Sequence, residues 1–171
     1  RRLNIYILAD LEGVSGLFRR EQAWFWEASR ATEEDRAQGR RLATDELNSA
    51  VRAALDCGAD RIVARDCHHG GGNVFEDELI QDPRVRYVQK IEPWNPLPGI
   101  DESFAGLILL GHHAKAGTLD SFLPHTMNGP WADFRINGRS VGEIGIESCI
   151  AGHFGAAPIL ASTLSLYAST S

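Results

Sequence analysis

Residues 3–9 are apolar apart from Asn4, and the run ends in two carboxylates, Asp10 and Glu12. A nearly continuous apolar stretch of this length predicts a strand covered on both faces of a sheet. Thr32 followed by Asp35 predicts a capping box, and a long helix to about Asp56 follows it. Leu47, Ala50, Val51, Ala54 and Leu55 form its apolar stripe at helical spacing, with Gly58 just past its end. Arg61 to Arg65 predicts a second strand, Phe75 to Ile80 a short helix, Val85 to Val88 a third strand and Phe104 to Leu110 a fourth. Residues 91–99 read as a Pro-rich loop. Phe134 to Val141 predicts a hairpin around Asn137-Gly138, Glu143 to His153 a helix, and Pro158 to Ala161 a last strand. Strands alternating with helices predict an α/β fold, a three-layer sandwich with a mostly parallel central sheet.

Composition narrows the function classes. With 171 residues and 43% hydrophobic residues, the chain is long enough and apolar enough for one domain with a substantial core. The net charge of −6 and the lack of a Lys/Arg cluster argue against a nucleic-acid partner. Cys57, Cys67 and Cys149 are too few and too scattered for a disulfide framework, so the expected setting is reducing and cytoplasmic. No apolar run reaches transmembrane length, which leaves no membrane role to expect.

The chemistry sits at strand ends. The first predicted strand ends in Asp10 and Glu12, the second in Asp66 with His68 and His69, and the fourth in His112 and His113. Sites in open α/β sheets form at the carboxyl ends of strands. Two carboxylates one residue apart lie on the same side of a strand and repel each other, and a divalent cation between them removes that cost. Carboxylates with imidazoles suit Zn²⁺, and also Mn²⁺ or Co²⁺, and two metals about 3.5–4 Å apart would use this many ligands. Each residue also has a plain structural reading: turn caps for the acids, loop or core positions for the histidines, and a helix-dipole partner for Glu143. The triple glycine 70–72 lacks the pattern of a phosphate loop. Trp24, Phe25 and Trp26 form an aromatic cluster that reads as core, interface or pocket wall, with interface or core packing favoured.

The stretches ADLEGVSG (9–16), RDCHHGGGN (65–73), LLGHHAKAGT (109–118), PHTMNG (124–129) and NGRSVGEIGI (137–146) resemble, in order and spacing, the D-aminopeptidase family of zinc metallopeptidases. The resemblance implies a dinuclear zinc site held by Asp10, Glu12, His68, His113 and Glu143, with His125 acting in catalysis. It selects His68 over His69 and His113 over His112. It implies a homo-oligomer, a ring-shaped homodecamer enclosing its active sites, and a short peptide as substrate. It further implies that residues 1–171 form a single α/β metallopeptidase domain without the family's C-terminal portion.

The expected activity is then hydrolysis of an N-terminal residue, D-configured by resemblance, by metal-activated water. His125 transfers a proton to the leaving amine or stabilises the oxyanion, and Asp66 orients an imidazole or caps its loop. Two competing readings stand beside it: a metal-dependent amidase acting on small amides, and a catalytically silent metal-binding subunit.

Overall fold

A computed structural model of the chain describes residues 2–26, 30–89 and 95–164. Five strands form one parallel sheet: β1 (Asn4–Ala9), β2 (Arg61–Asp66), β3 (Val85–Val88), β4 (Phe104–His112) and, last in the chain, β7 (Ala157–Thr163). Their order is β3-β2-β1-β4-β7. Two further strands, β5 (Phe134–Ile136) and β6 (Arg139–Val141), make a separate antiparallel hairpin. Asn137 and Gly138 both take positive φ at its tip, the geometry that an Asn-Gly turn supplies.

Helix α1 (Arg20–Ala23) is a single turn, α2 (Glu33–Asp56) is the long helix, and α3 (Glu143–His153) follows the hairpin. The α2 N-terminus is closed by the predicted box: Thr32 accepts from the Asp35 amide and Asp35 accepts from the Thr32 amide. The sheet is covered on both sides. Leu47, Val51 and Ala54 of α2 pack on Ile5, Ile7, Ile62 and Ala64. On the other face Ala151 of α3, with Leu97, Ile100 and Ala156, packs on Tyr6, Leu8, Val63, Leu107 and Leu109. This is the three-layer α/β arrangement that the alternation of strands and helices predicts.

Some boundaries differ from expectation. Residues 75–80 supply only one 3₁₀ turn, Glu76–Glu78, because Leu79 turns extended and buries itself under α2. The last strand runs from Ala157 to Thr163 rather than Pro158 to Ala161, and the fourth extends to His112. The first part of the Pro-rich loop (residues 91–94, with residue 90 before it) and the end of the chain (165–171) lie outside the described residues.

Register places the site. In β1, Ala9 pairs with Asp66 of β2 and with Leu110 of β4, so three neighbouring strands end together. The turn after β1 is then laced to β4: the Asp10 amide donates to the Leu110 carbonyl at 2.8 Å, and the Gly13 amide to the Gly111 carbonyl at 2.7 Å. A Cβ on Gly13 would lie 1.7 Å from the His112 carbonyl oxygen, so only glycine permits this approach. Glu46 of α2 braces the same corner, accepting from the Ser15 amide with one oxygen and from the Ser162 hydroxyl of β7 with the other.

Candidate metal centre

Asp10 and Glu12 emerge from the end of β1, His68 from the turn after β2, His113 just after β4, His125 from the following loop and Glu143 from the first turn of α3. All but His125 are buried. They converge as three overlapping groups whose ligand atoms lie within 4.8 Å of one another: Asp10 with Glu12 and His68, Asp10 with His113 and Glu143, and Glu12 with His113 and His125. Asp10 thus bridges the first two groups. His69 and His112 belong to none of them.

The imidazoles are oriented by backbone carbonyls. His68 Nε2 lies 3.0 Å from the Ala23 carbonyl oxygen, His113 Nδ1 3.0 Å from that of Ala114, and His125 Nδ1 2.9 Å from that of Leu123. A carbonyl oxygen only accepts, so each of these nitrogens carries the proton and donates. In the neutral ring the other nitrogen then offers a lone pair. His68 Nδ1 faces Asp10 Oδ1 at 3.3 Å and Glu12 Oε2 at 3.0 Å. His113 Nε2 faces Glu143 Oε1 at 3.2 Å and Asp10 Oδ2 at 3.4 Å. Neither Glu12 Oε2 nor His113 Nε2 has a properly directed hydrogen bond among the described residues, although both are fully buried.

Lone pairs facing lone pairs in a buried site require a cation. Without a metal ion that cation is a proton. Burial opposes a charge on His113, but the Glu143, Asp10 and Glu12 carboxylates prevail and push its pKa up to about 10. Burial likewise opposes a charge on His68, and Glu12 with Asp10 overcomes it and raises the pKa well above the ordinary value. Burial and the neighbouring Glu12 push Asp10 up, while His68 holds Glu12 well below the usual carboxylate range against its burial. A carbonyl-tethered imidazole with its second nitrogen aimed at carboxylates is the arrangement that metal-ligating histidines adopt. The donor set of carboxylate oxygens and imidazole nitrogens therefore fits a divalent zinc-like ion.

Several surrounding residues differ from the sequence reading. Trp24 is not simply core or interface: its indole Nε1 donates to Glu12 Oε1 at 2.6 Å, and its ring meets His125 edge-on. Trp26 stacks on His69 at 3.8 Å between centroids, so both aromatics shape the site's wall. Asp66 does not orient an imidazole by a hydrogen bond. It accepts from the Asn73 amide at 2.6 Å and from Asn73 Nδ2 at 2.8 Å, closing the 66–73 loop, and Asn73 Nδ2 also holds the His68 carbonyl. His112 is fully buried and pairs with Glu147 at 2.6 Å. His125 stacks on His113 at 3.8 Å with an interplanar angle of 7°. The Met127 amide donates to Glu143 Oε1 at 2.6 Å from a left-handed backbone. Asp10, Glu12, His68, His125 and Glu143 open into a cavity of about 800 Å³ whose wall includes Trp24, Trp26, Pro96, Met127 and Trp131. Sequence reasoning passed over Trp24, Asn73 and Glu147. The aromatic run 24–26 was a visible signal for the first, and the four-residue spacing from Glu143 on a predicted helix was one for the last.

The sequence model of the D-aminopeptidase family matches residues 3–163. The chain belongs to the D-aminopeptidase family. The D-aminopeptidase of Bacillus subtilis (strain 168) is 29% identical over 153 residues, which cover 89% of this chain and 53% of that one. The solved structure of the Zn-dependent D-aminopeptidase DppA from Bacillus subtilis, described as a self-compartmentalizing protease, matches with a TM-score of 0.79 at 27% identity. That match covers 90% of this chain and 53% of DppA. The family member described here therefore spans about half the length of these relatives. Its doubly covered parallel sheet is the α/β fold of DppA.

Proposed function

We propose that this chain is a zinc-dependent aminopeptidase that removes N-terminal, D-configured residues from short peptides. The observation that carries the reading is the trio of carbonyl-tethered imidazoles whose free nitrogens point at buried carboxylates. Asp10, Glu12, His68, His113 and Glu143 would hold a zinc pair, with Asp10 shared between its two halves. Bound there, zinc supplies a water of lowered pKa and polarises a carbonyl.

The remaining chemistry belongs to the chain. His125 keeps its Nδ1 proton on the Leu123 carbonyl and turns Nε2 toward Glu12 and Glu143, each 3.7 Å away. That nitrogen is free to take a proton and return it to the leaving amine, and the flat stack on His113 fixes its direction. Trp24 holds the same Glu12 oxygen through its indole N–H. The apolar cavity wall limits water and accepts side chains of a short peptide.

The relative's description as self-compartmentalizing supports a homo-oligomer, for which we carry forward the homodecamer expected from resemblance. Ile159 and Leu160 on the edge strand β7 are exposed, as a contact surface would require. Three free thiols suit a reducing, cytoplasmic compartment.

Metal analysis of protein prepared without chelators, followed by hydrolysis of D- and L-aminoacyl amides, tests the proposal. About two zinc equivalents with turnover of the D-series supports it. Zinc without turnover would favour the silent-subunit reading, and turnover of amides lacking a free amine would favour the amidase.

A further inference from the structure

An aminopeptidase has to recognise the free α-amine of its substrate, and none of the candidate metal ligands is assigned that task. Among the described residues, four carboxylates line the cavity: Asp10, Glu12, Glu143 and Glu147. The first three fall in the metal-type groups and the fourth does not. Glu147 lies one helical turn after Glu143 on α3, so the two side chains project to neighbouring positions on the same face. It is buried, with 2% of its surface exposed. His112 Nε2 holds one of its oxygens, Oε2, at 2.6 Å. His112 is fixed in turn by its Nδ1, which lies 3.2 Å from the Leu110 carbonyl oxygen.

A carboxylate buried beside three others is costly, and a core position would be served better by an apolar side chain. Here the carboxylate is retained, anchored through one oxygen, and set in the cavity wall beside the residues that would hold the reacting carbonyl. We propose that Glu147, positioned by His112, accepts the α-ammonium group of the substrate. The assignment rests on the aminopeptidase reading above. An ammonium two bonds from the scissile carbonyl then reaches Glu147 while that carbonyl lies near Asp10 and Glu143. The pair sets specificity for a free N-terminus, and a blocked amine would lose its charge-assisted bond and crowd the cavity.

The test compares two hydroxamates, D-alanine hydroxamate and propionohydroxamate, which differ only by the amine. Their binding to zinc-loaded full-length protein is measured by calorimetry, alongside zinc content. The parent is expected to prefer the amine-bearing ligand by roughly tenfold or more. Glu147→Gln should abolish most of that preference with zinc content unchanged, and Glu147→Asp should restore part of it. A purely structural role for Glu147 would weaken both ligands together, and that result overturns the proposal, as does a Glu147→Gln variant that keeps the parent's preference. A parent that holds zinc yet binds both ligands equally also overturns it while leaving the metal site standing. A parent that takes up no zinc sinks the hydrolase reading and this assignment with it.

Discussion

Replacing Asp10 by Asn should change stability in opposite directions with and without zinc. In the metal-free protein Asp10 is a buried carboxyl whose pKa is raised, by burial first and by Glu12 second. Its charge at neutral pH therefore opposes folding, and Asn, which is isosteric, removes it. The metal-free variant should melt no lower than the parent, and somewhat higher. With zinc the sign reverses. An ion present at a thousandfold excess over its Kd stabilises the fold by about 4.1 kcal/mol. A domain of this size gains about 2–4 °C per kcal/mol, so zinc should raise the parent's Tm by about 8–16 °C for each ion. Asp10 belongs to two of the three ligand groups, so its loss weakens both halves of the site. A hundredfold drop in affinity removes about 2.7 kcal/mol of that gain per ion, or about 5–11 °C. The assay is a thermal melt of parent and variant, each with chelator and with added zinc. A parent Tm indifferent to chelator and zinc would refute the metal centre. A metal-free variant that melts well below the parent would refute the claim that the carboxylate is held against its own repulsion.

Four further outcomes follow from the same geometry. Zinc uptake at neutral pH should release protons, because His113, with a pKa near 10, and His68 must shed them first; calorimetry in buffers of different ionisation enthalpy reads this directly. In the metal-free protein the raised His113 pKa contributes stability that is complete below about pH 6.5 and is lost as pH rises through about 10, and chemical denaturation across that window should show the decline. Trp24→Phe keeps the ring against His125 but deletes the donor to Glu12, so zinc affinity or turnover should drop by about 10–100-fold with the Tm of the metal-free protein little changed. Gly13→Ala forces a methyl onto the His112 carbonyl, and a loss of more than about 3 kcal/mol in urea denaturation is expected; a variant of parental stability would show that the turn relaxes freely.

The fold was legible wherever apolar periodicity was strong. Helix α3 has the bounds read from the sequence, and α2 begins at the capping box that Thr32 and Asp35 spell out. The Phe75–Ile80 segment misled because its acidic residues favour a helix start while Leu79 is drawn into the core. At the site, the acid and histidine positions showed at strand ends, but the choice between adjacent histidines did not. His112 and His113 are chemically identical in sequence; only the partners, Glu147 for one and Asp10 with Glu143 for the other, distinguish them. All of those partners lie 30 or more residues away in the chain, and nothing local announces them. Trp24 escaped because its hydrogen bond crosses from one loop to another, and Asn73 because its bonds to Asp66 and the His68 carbonyl depend on how the 66–73 loop folds back on itself.

The carbonyl groups that steer the three imidazoles have a bearing on timing. His68 is aimed by Ala23, 45 positions earlier in the chain, and its lone pair finds Glu12 only when β2 has docked beside β1. His113 depends on β4 having joined the other side of β1, and Glu143 on α3 having closed over it. A partly folded state therefore offers at most part of the donor set, such as the Asp10, Glu12 and His68 group once β1 and β2 have paired, rather than the whole site. Metal capture should then be among the last events in folding, and the moment at which the chain begins to hold zinc against a competing dye should mark the moment at which its central strands have all been assembled.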